Sequence, residues 1–167
     1  LEKAYPEYEI RRAFTAQIVI DILEERDGHQ IDNVEEAMDR LVADGIKDVV
    51  VMPTHVMNGF EYDDVVKEVS KYEGKFDSLK IGTGLLTDEA DYEELVKILA
   101  EETANYNVDK TAVVFMGHGT HHEANATYAT LQDALNAAGY NDNFVGTVEC
   151  APLVEDVLVK VDAGDYD

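Results

Sequence analysis

The chain has 167 residues, of which 13 are basic and 36 acidic, giving a formal net charge of −23 at pH 7. This negative field argues against nucleic acid and anionic membranes as partners and would concentrate metal cations, although solubility or adaptation to salt explains the charge as well. The single cysteine, Cys150, excludes an intrachain disulfide, and no apolar run reaches the roughly 20 residues of a membrane span, so we expect a cytoplasmic protein.

The hydropathy pattern up to residue 107 predicts strands alternating with helices. In chain order, the predicted elements are a strand over 8–14, helices over 16–25 and 34–44, a strand over 47–53, a helix over 61–71, a strand over 79–82 and a helix over 88–104. Thr15 is the predicted N-cap of the first helix. Its apolar side is expected to consist of Ile18, Ile20, Ile22 and Leu23.

Beyond residue 107 the alternation continues with a strand over 111–116, a helix over 123–138, a strand over 144–148 and a helix over 153–161. This pattern predicts an α/β fold in which helices cover parallel strands. We therefore divide the chain into an N-terminal α/β half, residues 1–107, and a partial C-terminal half, residues 108–167. Each half has fewer strands than the usual four to six or so of a sheet, so we expect a chain truncated at both ends.

The turn after the strand at 111–116 carries the first candidate for chemistry. His118 lies between two glycines, which leave its imidazole uncrowded and let the backbone take unusual dihedral angles. Glu149 follows the next strand, and the carboxyl ends of parallel strands share one sheet edge, where α/β folds bind ligands. An imidazole and a carboxylate can bind a borderline divalent metal and accept protons, so both residues are predicted metal ligands and catalytic residues. A backbone-bonded turn histidine and an exposed strand-end acid are the alternatives.

Three further side chains are weaker candidates for ligand binding. Either His122 or its neighbour His121 could line a pocket, while the other caps a helix or faces solvent. His55 follows a buried strand and so reaches a sheet edge of the first half. Arg12 and the neighbouring Arg11 form the densest cluster of positive charge in this acidic chain. Arg12 could therefore pair with a carboxylate of a ligand. Cys150 is expected to be a small buried core residue rather than a nucleophile.

Four segments together resemble the anaerobic-type sirohydrochlorin cobaltochelatases, the ATP-independent class II chelatases of cobalamin biosynthesis. They are Arg12-Ala-Phe-Thr15, His55-Val-Met-Asn-Gly-Phe-Glu-Tyr62, Val114-Phe-Met-Gly-His-Gly119 with the two histidines that follow, and Val148-Glu149 with Pro152. The similarity extends over essentially the whole chain. The combination of Phe-Met-Gly-His-Gly with His-x-x-Asn-Gly-x-Glu-Tyr is specific, whereas each motif alone is modest.

The resemblance implies two similar chelatase-like α/β halves, each a parallel sheet flanked by helices, with the active cleft between them. It implies insertion of Co²⁺ into sirohydrochlorin without ATP or an organic cofactor. His118 and Glu149 would bind the metal and act on the pyrrole nitrogens, and Arg12, His55 and His122 would contact the carboxylated macrocycle. The first strand of that family, and a later Ala-Gly-Asp-His segment with a second metal-binding histidine, are absent from this sequence.

Several alternatives remain open at this stage. The same insertion chemistry could use Ni²⁺ or Fe²⁺, because the order of metal affinities alone does not choose among these ions. A non-catalytic protein that binds a metal or a tetrapyrrole is the alternative from another functional class. The sequence does not decide whether the chain forms a homo-oligomer.

Overall fold

The computed structural model describes residues 1–166 and shows an α/β protein whose described strand pairs are all parallel. This confirms the fold class predicted from the alternating hydropathy pattern. Contacts divide the chain into two compact units. Unit 1 comprises Leu1–Pro53 and Glu61–Gly82, and unit 2 comprises Thr54–Phe60 and the chain from Thr83 onward. The division into two similar halves, residues 1–107 and 108–167, stays a prediction.

Unit 1 contains two small parallel sheets and the helices that follow their strands. Its elements are β1 (Ala13–Phe14), α1 (Gln17–Asp27), β2 (Asp32–Asn33), α2 (Val34–Ala43), β3 (Asp48–Val51), α3 (Phe60–Ser70, whose first residue belongs to unit 2) and β4 (Ser78–Ile81). β1 pairs with β2, and β3 pairs with β4. The core consists of Met38 on α2, Val65 and Val69 on α3, and Tyr72 just beyond it.

Helix α1 differs from its prediction. It begins after Ala16, which makes no side-chain cap bond, so Thr15 is not its N-cap. Ile20 is 5% exposed, whereas Ile18 is 75% and Ile22 is 50% exposed. Residues 18 and 22 lie on one side of the helix, and residue 20 points about 200° away from residue 18. A single packing surface therefore cannot bury all three side chains.

Unit 2 contains one parallel pair of strands with helices packed against it. Its elements are α4 (Glu89–Glu102), β5 (Val113–Gly117), a 3₁₀ turn (Glu123–Asn125), α5 (Ala126–Ala137), β6 (Asn143–Thr147) and α6 (Val154–Asp162). The helix predicted over 123–138 thus begins as a 3₁₀ turn. α4 packs on α5, and α5 packs on β6. The buried side chains of this core are Leu86, Tyr92, Val96, Leu131, Leu135 and Val145.

The register of β5 and β6 fixes where the next turns lie. The strands pair in parallel from Val113 with Asn143 to Gly117 with Thr147. Both strands therefore end at the same level, and the turns that follow them start side by side. Among the described residues, no helix combines the length and the apolar character needed to cross a bilayer.

Candidate functional site

The turns that follow β5 and β6 are joined by backbone hydrogen bonds. The amide of Glu149 donates to the carbonyl of His118 at 3.0 Å, and the amide of Val148 donates to the carbonyl of Gly117 at 3.1 Å. These bonds extend the pairing of the two strands by a further step. The backbone therefore holds His118 and Glu149 close together before their side chains are considered.

The side chains of His118 and Glu149 are themselves in contact. Nε2 of the imidazole lies 3.3 Å from Oε1 of the carboxylate, and the two side chains are 78% and 50% exposed. An imidazole nitrogen and a carboxylate oxygen at this separation can share a proton or present lone pairs to one cation. The structure thus brings together the two residues that the sequence singled out. Their roles as metal ligands and catalytic residues stay predictions.

The pair lies on an open surface. A cavity of about 400 Å³ in unit 2 is lined by residues that include Asn58, Tyr92 and Glu123, but neither His118 nor Glu149 lines it. Within residues 1–166, no group of three or more histidine, cysteine, aspartate or glutamate side chains is arranged to hold a metal ion. The candidate site is therefore defined by the contact of the pair, not by a pocket.

Gly119 allows the close approach of the two turns. Its φ is +87°, and a Cβ built there would lie 2.9 Å from the amide nitrogen of Cys150 and 3.1 Å from Oγ1 of Thr147. The amide of Gly119 donates to the hydroxyl of Tyr128 at 3.2 Å. The ring of the same tyrosine occupies the space that a side chain at Gly117 would need. Both glycines therefore have a packing role in addition to leaving the histidine between them uncrowded.

Thr147, the last residue of β6, shapes the turn that carries Glu149. It is fully buried. Its amide donates to the carbonyl of Pro152 at 2.7 Å, and its hydroxyl donates to the carbonyl of Cys150. The turn is thereby curled back over the end of β6, and the carboxylate of Glu149 remains on its solvent side.

The two neighbouring histidines have different partners. Nδ1 of His122 accepts a hydrogen bond from the amide of Ala124 at 3.0 Å, so His122 is the N-cap of the 3₁₀ turn. Its ring also meets the ring of Phe60 edge-on, with centroids 4.8 Å apart. Nδ1 of His121 lies 3.4 Å from Sγ of Cys150. Cys150 is only partly buried, so the expectation of a buried core cysteine is wrong. Substrate binding by His122 stays a prediction.

His55 lies in the loop of unit 2 formed by Thr54–Phe60. Its carbonyl accepts a hydrogen bond from the amide of Leu85 at 2.9 Å. Nearby, Oδ1 of Asn58 accepts one from the amide of Gly84 at 2.7 Å. These bonds join the loop to the segment that begins at Thr83. The imidazole of His55 is half-buried, and its predicted contact with a substrate stays a prediction.

Arg12 lies in unit 1 and is exposed. Its guanidinium lies 5.3 Å from the centroid of the Phe14 ring. The preceding residue, Arg11, instead forms ion pairs with Glu9 and Asp44, each at 2.6 Å. Hydrogen bonds to Asp44 and then to Glu9 raise the pKa of the Arg11 guanidinium. Arg11 is thus occupied by structural pairs, and carboxylate binding by Arg12 stays a prediction.

The local sequence gives little indication of which residues hold the two turns in place. Tyr128, Thr147 and Asn125 are of types that are common on protein surfaces, and their importance depends on which backbone groups they meet. A tyrosine in the first turn of α5, a helix rich in alanine, is the one hint that a large ring is needed there. Nothing in the spacing indicates that these residues contact the turns after β5 and β6.

Known proteins match the chain over nearly all of its length. The sequence profile of the family described as Cobalt chelatase (CbiK) matches residues 1–167. The sirohydrochlorin cobaltochelatase of Salmonella typhimurium is 36% identical over 159 residues, which cover 95% of this chain and 59% of that protein. The sirohydrochlorin cobaltochelatase CbiKC of Nitratidesulfovibrio vulgaris is 28% identical over 167 residues, covering 98% of this chain and 58% of that protein. The chain thus spans less than three-fifths of the length of these relatives.

Proposed function

The chain belongs to the cobalt chelatase (CbiK) family, and we propose on that basis that the protein inserts Co²⁺ into sirohydrochlorin in anaerobic cobalamin biosynthesis. The two relatives compared above are both named as sirohydrochlorin cobaltochelatases. Within this chain, the observation that supports the proposal is the 3.3 Å contact between Nε2 of His118 and Oε1 of Glu149.

The reaction sets clear chemical requirements. Insertion of a divalent ion replaces two pyrrole N–H bonds by metal–nitrogen bonds, so two protons leave the macrocycle for each ion that enters. The protein must hold the hydrated cation near the ring and supply acceptors for these protons. An imidazole and a carboxylate meet both needs, since each is a metal ligand when deprotonated and a proton acceptor in the same form.

We assign metal binding and then proton acceptance to the same lone pairs, those of the imidazole and of the carboxylate. His118 and Glu149 bind the incoming Co²⁺ through Nε2 and Oε1. As the ion passes to the ring nitrogens, these lone pairs are released and accept the displaced protons. The charge near the pair changes little during this exchange, because two protons replace one divalent ion. The exposure of both side chains leaves room for a flat macrocycle and lets the protons pass on to water.

The remaining assignments follow from the same proposal. Arg12, His55 and His122 contact the carboxylated macrocycle, and no ATP or organic cofactor takes part. The partners are sirohydrochlorin and a divalent metal, not nucleic acid or a membrane, and the protein works in the cytoplasm. Co²⁺ is the physiological metal, although a nitrogen–oxygen pair alone does not discriminate against Ni²⁺ or Fe²⁺.

Replacement of His118 by alanine tests the central assignment. In the protein produced at the full length that its gene encodes, His118→Ala should lower the rate of cobalt insertion by about 10²- to 10⁴-fold, the usual range for loss of an acid–base group. His29→Ala is the matched control, because His29 is an exposed histidine of unit 1. The assay follows the absorption change of sirohydrochlorin under anaerobic conditions, with circular dichroism to verify the fold.

Two outcomes would contradict the proposal. Full activity in His118→Ala would remove that residue from the mechanism. An absorption change that stops at one equivalent of sirohydrochlorin per protein would indicate a binding protein instead of an enzyme. Parallel assays with Ni²⁺ and Fe²⁺ compare kcat/KM for the alternative metals.

A further inference from the structure

The side chain of Asn125 bridges the turns that carry His118 and Glu149. Its Oδ1 accepts a hydrogen bond from the amide of Thr120 at 3.0 Å. Its Nδ2 donates to the carbonyl of Ala151 at 2.7 Å. Thr120 lies two residues after the histidine, and Ala151 lies two residues after the glutamate. One amide group is thus bonded to both turns at equivalent positions.

The position of Asn125 is itself fixed. It is the last residue of the 3₁₀ turn, which His122 caps through the amide of Ala124. The amide of Asn125 also donates to the carbonyl of His122 at 3.0 Å. Helix α5 continues directly from this turn, so Asn125 is anchored to a packed element of unit 2. A bridge from a fixed point can set the separation of two turns, whereas a bridge from a mobile loop cannot.

The chemistry of the bridge requires an amide. Thr120 presents an N–H, which needs an acceptor, and Ala151 presents a carbonyl, which needs a donor. Among side chains of this length, asparagine supplies both groups at once, whereas aspartate supplies acceptors only. An aspartate at position 125 would keep the bond to the Thr120 amide but would face the Ala151 carbonyl with a second oxygen.

We infer that Asn125 is a positioning residue that, by adding a side-chain bridge to the backbone bonds between the two turns, sets the distance between the imidazole of His118 and the carboxylate of Glu149. The inference rests on the proposed function for its catalytic consequence. The pair is separated by 3.3 Å, and its exposed side chains are not packed into fixed positions. Their geometry therefore depends on the backbone turns beneath them, and a displacement of about 1 Å can reduce a rate by about 100-fold.

Gln132 provides a matched control within the same unit. Its Nε2 donates to the carbonyl of Asn143 at 2.8 Å, and its Oε1 accepts from the amide of Val145 at 2.8 Å. This amide also bridges backbone groups, but at the first half of β6, away from the turn that follows the strand. Gln132→Ala therefore removes a comparable pair of bonds to the backbone, and a third to the side chain of Asn136, without touching the turns of the candidate site.

The test compares Asn125→Ala, Asn125→Asp and Gln132→Ala with the wild type, each at full gene-encoded length. Two quantities are measured: the affinity for Co²⁺ alone, by titration calorimetry, and the kcat and KM of cobalt insertion. We expect Asn125→Ala to bind Co²⁺ at least about tenfold more weakly, and both Asn125 variants to lose about 10- to 100-fold in kcat with an unchanged KM for sirohydrochlorin. Gln132→Ala should match the wild type in all three quantities at a temperature where every variant is folded.

The outcomes separate this inference from the proposed function. If the wild type inserts no cobalt, the proposed function fails, and the Co²⁺ affinities alone decide the role of Asn125. If Asn125→Ala equals Gln132→Ala in Co²⁺ affinity, the inference is overturned whether or not the protein is a chelatase. A wild-type kcat in Asn125→Asp would likewise overturn it, because the bond to the Ala151 carbonyl would then be dispensable.

Discussion

Replacement of Gly119 by alanine tests how closely the turns after β5 and β6 must approach. Gly119 has a φ of +87°, and a Cβ there would lie 2.9 Å from the backbone amide nitrogen of Cys150. Gly139, just after α5, has a φ of +92° but nothing within 4 Å of its built Cβ. Both substitutions therefore strain the backbone of unit 2, but only Gly119→Ala also forces two chain segments apart.

The expected losses in the free energy of unfolding follow from backbone strain and from the separation of the two segments. An alanine at positive φ costs about 1–2 kcal/mol, which is the whole of the expected effect for Gly139→Ala. Gly119→Ala should cost a further 1–2 kcal/mol or so, because displacing the Cys150 amide weakens the bond from Glu149 N to His118 O. The total for Gly119→Ala is therefore about 2–4 kcal/mol.

Urea unfolding followed by circular dichroism measures both free energies under the same conditions. Gly119→Ala should also lower cobalt insertion, since the His118–Glu149 contact depends on the turns that it separates. Gly139→Ala should leave that activity unchanged at a temperature where it is folded. Equal free energies of unfolding for the two variants, within about 0.5 kcal/mol, would refute the argument that the two turns are in tight contact at Gly119.

Two further predictions concern stability. Burial, followed by the 2.7 Å hydrogen bond to Asp39, raises the pKa of Tyr72 to about 12, whereas an unfolded chain releases this proton near pH 10 or so. The resulting stabilisation is present below about pH 10 and is lost as the pH rises to about 12. Over that range, the free energy of unfolding of the wild type, measured with urea, should fall by on the order of 2–3 kcal/mol relative to that of Tyr72→Phe. A difference between the two proteins that does not change with pH would contradict this prediction. Leu135 is fully buried in the core of unit 2, and Leu135→Ala should cost about 2–5 kcal/mol in the same assay. The control for this second prediction is Ile18→Ala, which lies at a 75% exposed position and should change stability by less than about 0.5 kcal/mol.

Local sequence patterns determined the class of fold and the placement of the candidate pair. Apolar runs of strand length alternate with helical patterns, and each of these signals lies within one element. Parallel strands end at a common edge, so the sequence predicts both His118 after β5 and Glu149 after β6 at that edge, and the pairing of β5 with β6 makes the two residues neighbours. The 3.3 Å contact between their side chains agrees with that reasoning.

Tertiary packing decided what a local pattern cannot encode. The isoleucines of α1 are equivalent in hydropathy, and only the packing of the helix selects Ile20 for burial. The sequence left open which of His121 and His122 caps a helix, and the folded chain selects His122 as the cap of the 3₁₀ turn.

The bridge from Asn125 to Ala151 joins residues 26 positions apart. Local sequence patterns do not reveal such a bridge, because they report only interactions of short range along the chain. Periodicity and capping act within a few residues, whereas the partner of a side-chain amide depends on which distant backbone the folded chain brings beside it.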